Sequence, residues 1–314
     1  MKMTLNKTIK KSISLLVTVS LFTSCGIGTI DRTSHGKRPR SAPRKYFNGV
    51  KKKVALLTFF NESPYGGQDL GVTATEEFRR ELSRTSQFVV DPMAKKIFGS
   101  SKEIYAGGGV KLVQLSRKAK VAGLNFVLFG RIIDARIREK VDEIGVVRET
   151  KSYTEAKLEI RIFDVNANKE IYSDTIRAFA DDSTFRFFQG NRETHLEYRR
   201  ELLRYVIKVA VRKSIVKIVD VSSKLDWVGR VAKIIGNKIY LNAGRSSGLN
   251  IGDILKVMSD GQEIFDPETG AMIGVSKGEV KGTIEVIDFF GPDGSIAILH
   301  SGGSVHENDF IQLY

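Results

Sequence analysis

The chain is 314 residues long, 41% hydrophobic and 27% charged, with 50 Lys and Arg against 36 Asp and Glu and a formal charge of +14. This is globular composition with length for two domains, and it excludes a disordered polyelectrolyte. The lone cysteine, Cys25, excludes an intrachain disulfide framework.

The amino terminus runs from Lys2, Lys7, Lys10 and Lys11, with no acid, through the ten apolar-rich residues 13–22 to Thr23, Ser24 and Cys25. Basic, then apolar, then small residues is the order of a secretory signal peptide. The run is about half of the roughly 20 residues that a membrane-spanning helix needs. A thiol directly after small residues resembles the lipobox of bacterial lipoproteins, with Phe22 where that motif has leucine. The resemblance implies removal of residues 1–24 and lipid attachment at Cys25. An ordinary leader cut nearby, with Cys25 incidental, is the alternative. Gly26 stands where an aspartate favours retention at the inner membrane in the lipoproteins this resembles, so the outer membrane is implied. Two or three acyl chains meet the need for more than one membrane signal.

The leader's four lysines leave +10 on the remainder. Residues 228–314 hold 7 Lys and Arg against 11 Asp and Glu, a net of −4, so residues 25–227 carry +14. Residues 31–53 contain nine basic residues, two prolines and one acid. Such a segment buries no core, and 25–50 is read as a basic flexible tether, either solvated or lying on anionic headgroups. No nucleic-acid partner is expected, because no recognition motif for one is present.

Residues 54–60, VALLTFF, predict a strand covered on both faces. Leu70, Ala74, Phe78 and Leu82 recur at helical spacing, and the helix is expected to end near Ser86. Phe88 to Asp91, before Pro92, is a second strand. Residues 99–109, GSSKEIYAGGG, read as a flexible loop. The three glycines lack the Lys-Ser/Thr of a phosphate loop. A helix over Val110–Ala122 and a buried strand over Asn125–Ile133 follow. Three more strands are expected: one leading away from Ile133, one through Ala156–Val165 and one over Glu170–Ala180. Asn166 to Lys169 is the hairpin turn between the last two. Leu158, Ile160 and Ile162 alternate with Lys157, Glu159 and Arg161, giving one buried and one wet face. A long helix over about Arg192–Val219 lines one side with Leu196, Leu203, Ile207, Val211 and Ile215.

The order VALLTFFN, QFVVD, AGLNFVLFGRI, LEIRIFDVNANKEIYSDTIRA, STFRFF and a long helix resembles the CsgG family of curli-secretion lipoproteins over about 51–222. Gly130, Asp164, Val165 and Phe185-Arg186-Phe187 carry the likeness. The flagellar protein FlgT and the amino-terminal domain of TolB share a similar architecture. The resemblance implies an α+β domain, a CsgG/TolB-N-like mixed sheet with flanking helices, that packs side by side into homo-oligomeric rings. In the curli channel two hairpins per subunit build a membrane barrel, and the matching segments here are about 131–154 and 175–198. With strict alternation, one face of the first carries Ile132, Asp134, Arg136, Arg138 and Lys140. The other carries Ile133, Ala135, Ile137, Glu139 and Val141. Neither suits lipid, since each Arg or Lys at the midplane costs about 2–4 kcal/mol. Soluble hairpins are expected, with Phe185, Phe187 and Phe188 as a possible subunit contact.

After the long helix, glycines recur between short β-branched runs such as Lys238–Leu241, Ile254–Met258 and Thr283–Ile287. This spacing predicts a small barrel or sandwich over 226–314. The turn Asp266-Pro267-Glu268-Thr269-Gly270 with Ile273-Gly274 resembles the carboxy-terminal SH3-like barrel of FlgT. Asp253, Asp266 and Asp309 lack the acid-dense spacing of a calcium loop and are read as turn residues.

The chain has four histidines and no zinc set at ligand spacing. No nucleophile elbow is expected, and H-E-x-x-H is missing. His195 is read as a solvated helix residue. The expectation is a non-enzymatic outer-membrane lipoprotein without cofactor or metal. It forms or supports a periplasmic ring for a flagellar basal body or curli-like secretion apparatus and meets a periplasmic protein partner. A CsgG-type secretion channel and a peptidoglycan-associated envelope enzyme are the alternatives.

Overall fold

The computed structural model describes residues 49–142, 149–181 and 195–314. In chain order come β1 (Lys52–Leu56), β2 (Phe60–Asn61), α1 (Asp69–Arg84), β3 (Phe88–Val90), α2 (Ala94–Phe98) and α3 (Ser101–Val121). Then follow β4 (Phe126–Asp142), β5 (Glu149–Asp164), β6 (Lys169–Asp181) and α4 (His195–Ser223). These form a mixed sheet of order β3-β1-β4-β5-β6, with β2 beside β4. Strand β1 runs parallel to β3 and β4, whereas β4, β5 and β6 are antiparallel neighbours.

Both faces of β1 are covered, as its apolar run predicts. Val54, Leu56 and Phe59 pack with Phe78 of α1 and Val206, Ile207 and Val211 of α4. Ala55 and Leu57 pack on the other face with Phe98, Ile104 and Leu115 of α2 and α3. Helix α1 is seated by its small residues. The Phe59 amide donates to Thr75 Oγ1 at 2.9 Å, and a Cβ on Gly71 would lie 2.2 Å from the Phe59 carbonyl oxygen. Only glycine lets the helix come so close.

Three sequence expectations are corrected here. The stretch 101–109 is the first part of α3, not a loop. The Ser100 amide donates to Glu103 Oε1 at 3.3 Å, and the bonds of a 21-residue helix carry the three glycines. The strand from Asn125 and the one leading away from Ile133 are the single strand β4, with a bulge between Ile132 and Asp134. One extra residue inverts the alternation, so Ile132 and Ala135 are both buried on the α4 side while Asp134 and Arg136 share the opposite face. Along α4, Leu203, Ile207, Val211 and Ile215 are buried, but Leu196 is exposed.

The β5–β6 turn falls over 165–168, where the Asp164 carboxylate accepts from the Asn166 and Ala167 amides at 2.9 and 3.2 Å. Asn168 takes the left-handed conformation, φ 51°, which asparagine tolerates.

The remaining strands are β7 (Gly229–Ile235), β8 (Lys238–Leu241), β9 (Ile254–Met258), β10 (Glu263–Phe265), β11 (Met272–Val275), β12 (Val280–Phe290), β13 (Gly294–Gly302) and β14 (Phe310–Leu313). Six of them close a barrel in the order β12-β13-β8-β7-β14-β9, and β10–β11 is a separate hairpin outside it. Trp227, Leu241, Leu255, Val257, Ile284 and Ile311 fill the barrel. All described residues belong to one compact unit, Arg38–Tyr314.

Candidate functional site

Cys25, Phe185, Phe187 and Phe188 lie outside the described residues. The described molecule offers three places where polar chemistry is concentrated.

The first is the outer face of β4–β6. Arg131 faces outward just ahead of the bulge, the bulge turns Asp134 and Arg136 to the same side, and β5 sets Glu155, Glu159 and Arg161 beside them. Arg131 pairs with Glu159 at 2.5 Å and with Glu62 at 3.0 Å, and Arg161 pairs with Glu170 at 2.6 Å. Arg136 pairs with Asp134, and Arg138 reaches Glu155 at 3.4 Å. The Tyr105 ring of α3 lies under two guanidinium groups, Arg131 at 4.7 Å and Arg161 at 5.5 Å, a cation–π arrangement. Burial, then the charge of Glu159, pushes the Tyr105 hydroxyl above its ordinary range and keeps it neutral. The face is thus a ladder of alternating, mutually compensated charges, with α4 covering its reverse.

The second is a cleft of about 640 Å³ between α1 and α4. Acids Asp69, Glu76 and Glu201 and cations Arg80, Arg204 and Lys208 line it. Glu77, which also lines it, and Glu81, one helical turn further along α1, are both almost fully buried. Arg212 of α4 donates to Glu77 at 2.8 Å and lies 3.7 Å from Glu81. Arg80 pairs with Glu77, and Arg84 holds Glu81 at 2.8 Å. Burying two carboxylates is tolerable only with such partners, so the cluster is an electrostatic strut between two helices that lie far apart in sequence.

The third is the seam between sheet and barrel. Asn125, nearly fully buried, accepts from the Lys53 amide at 2.8 Å and donates to the Val228 carbonyl at 3.1 Å. The Lys53 ammonium bonds the Asn242 carbonyl and pairs with Asp293 at 3.0 Å. Trp227 Nε1 donates to the Lys51 carbonyl at 3.1 Å, and the Lys51 amide donates to the Ser247 carbonyl at 2.7 Å. Sequence reading missed this latch because each partner is unremarkable alone.

The three aspartates set aside as calcium ligands each serve a local role. Asp253 accepts from the Asn250 amide at 2.7 Å, and Asp309 from the His306 amide at 2.7 Å and Lys281. Asp266 accepts from the Thr269 and Glu268 amides in the β10–β11 turn, and these bonds, Thr269 first, hold its carboxyl below the usual carboxylate range. Among the described residues no group of three or more His, Cys, Asp or Glu is placed to hold a metal, and no helix is long and apolar enough to cross a membrane.

The class of architecture is therefore a mixed α+β body latched to a closed six-stranded barrel. No protein-family model and no curated protein matches the chain. Among solved structures it is similar to a hypothetical protein from Chlamydia trachomatis, at 16% identity over 56% of this chain and 100% of that one, with a TM-score of 0.36. It is also similar to lipoprotein GNA1162 from Neisseria meningitidis, at 16% identity, 47% and 91% coverage and a TM-score of 0.27. A third is a minor lipoprotein from Acinetobacter baumannii, at 14% identity, 56% and 95% coverage and a TM-score of 0.28.

Proposed function

We propose that the chain is a non-enzymatic lipoprotein of the outer membrane's periplasmic leaflet, anchored through Cys25. It self-associates into, or supports, a periplasmic ring and presents its acidic barrel to a protein partner of an envelope assembly. Flagellar basal-body and curli-like secretion machinery are the first candidates, on the resemblance of residues 51–222 to the CsgG family and of the DPETG turn to the FlgT barrel. The order of basic, apolar and small residues ending in Cys25 carries the reading. The geometry supports a scaffold. The latch around Asn125 joins the barrel to the sheet, so a partner's hold on one is transmitted to the other. Strand β6 is one of the sheet's two edges among the described residues, with β3 the other, and an open edge is a template for pairing with another chain.

Against the secretion-channel reading stands the β4–β5 pair, one face covered by α4 and the other studded with Asp134, Arg136, Arg138 and Glu155. Mass spectrometry of the mature terminus tests the anchor: a diacylated or triacylated Cys25 is expected, and a lipid-free terminus overturns it. Electron microscopy of detergent-extracted protein tests the ring. Stable single-channel conductance of the purified protein would favour the channel instead.

A further inference from the structure

Two patches of opposite charge stand unpartnered among the described residues. One is the outer side of α2 and α3. Between Pro92 and Ala122 the chain holds seven Lys and Arg against a single acid, Glu103, which is occupied by the Ser100 amide. Lys95, Lys96, Lys102, Lys111, Arg117 and Lys118 are exposed, and none forms an ion pair with a described residue. Apolar side chains stand among them. Met93, Ile97, Val113 and Val121 are exposed, and Val113, Arg117 and Val121 follow one another at four-residue spacing along one line of α3.

The other patch is the β10–β11 hairpin. It is excluded from the barrel, and every residue of β10 is exposed. Ile264 is 48%, Phe265 52% and Ile273 67% accessible. A lone two-stranded hairpin is marginal in water, and one that exposes three large apolar side chains lacks a cover. Glu263 and Glu268 are exposed beside them and pair with no described cation.

We propose that the β10–β11 hairpin of one copy docks on the α2–α3 face of a second copy of this chain. Ile264, Phe265 and Ile273 meet the apolar line of α3, and Glu263 and Glu268 meet its flanking lysines. The inference rests on the self-association proposed above and names its surfaces. Charge complementarity chooses the occupant, because an anionic lipid surface would match the basic face but leave the hairpin uncovered. Within one chain the patches adjoin, Lys120 at the end of α3 lying 3.7 Å from Asp260 at the hairpin's base. The same contact made reciprocally closes a two-fold pair, and made head to tail it propagates into a ring.

The test uses full-length protein in detergent, its mass followed by light scattering at about 50 and about 500 mM salt, where screening separates charge-driven from apolar contact. Lys111→Glu with Lys118→Glu, and separately Glu263→Lys with Glu268→Lys, are each expected to weaken association about tenfold or more. Mixing the two variants restores it, since each then meets its complement. Association of both variants at wild-type strength, or failure of the mixture to recover, overturns the docking surface while leaving self-association standing. A monomeric wild type removes both. If Lys111→Glu with Lys118→Glu loses binding to phosphatidylglycerol vesicles while associating normally, the face belongs to lipid and the proposal falls.

Discussion

Asn125 donates a hydrogen bond from its side-chain amide to the carbonyl of Val228 at 3.1 Å, across 103 residues of sequence. The other end of the same amide takes the Lys53 N–H, so one side chain ties β1, the entry to β4 and the entry to the barrel. Alanine here leaves a buried donor and a buried acceptor unpaired, each worth about 1–3 kcal/mol. Asn125→Ala is expected to lower unfolding stability by about 2–4 kcal/mol, as read from the shift in urea midpoint.

Trp227 is the only tryptophan and sits in this seam, bonded to the Lys51 carbonyl. Its fluorescence is expected to change at the same denaturant concentration as far-UV circular dichroism, the sign of one cooperative unit. An earlier tryptophan transition would show the barrel undocking before the sheet melts.

Gly130 lies where β4 passes beneath Phe59. An added Cβ would fall 2.1 Å from the Glu159 carbonyl oxygen and 2.5 Å from the Phe59 ring. Backbone cannot yield as a side chain does, so Gly130→Ala is expected to cost about 3 kcal/mol, the upper end of ordinary overpacking. Thermal unfolding measures it, and a wild-type melting temperature would refute this account of the site.

Arg212 is the cation shared by two buried carboxylates, Glu77 and Glu81. Removing it leaves the two buried carboxylates only the partly exposed Arg80 and Arg84, so Arg212→Ala is expected to destabilise by about 3 kcal/mol. Arg80, about half exposed, also pairs with Glu77; Arg80→Ala is expected to cost about 1 kcal/mol or less. Equal losses in the two variants, measured by urea unfolding, would contradict the strut.

Burial raises the Asp164 carboxyl above its ordinary value, against the lowering effect of the Ala167 and Asn166 amides and Lys169. A folded pKa above the unfolded one means that the native state holds its proton to higher pH, so this group's contribution to stability falls as pH rises through that window. Asp164→Asn keeps the oxygen that accepts both amides and removes the titration. Its stability relative to wild type is expected to be greater at pH 7 than at pH 4, in paired urea melts at the two pH values. A pH-independent difference would sink the assignment.

Much of the sheet and barrel is legible in short windows of sequence. Leu158, Ile160 and Ile162 mark the buried face of β5, Asn166 and Asn168 mark its turn, and β8 and β9 begin and end where their β-branched runs do. These features depend on neighbours a few residues away, which is the range over which side-chain periodicity and turn chemistry act. The start of α3 was also written locally, in the S-x-x-E spacing of Ser100 and Glu103, but three glycines argued more loudly for a loop. Folding chose the helix because Ile104 and Leu115 bury against Ala55 and Leu57, and packing outweighs intrinsic propensity.

Other features have no local signature. The bulge at Ile133 exists only as a mismatch between β4 and β5, and it turns Asp134 outward where strict alternation places it beside Ile132. The strut through Arg212, the bonds of Asn125 and the pairing of Lys53 with Asp293 join residues more than 70 positions apart. A lysine or an asparagine reads as a solvated side chain until the fold withdraws water from it, and its partner is then whichever group the topology has brought within reach.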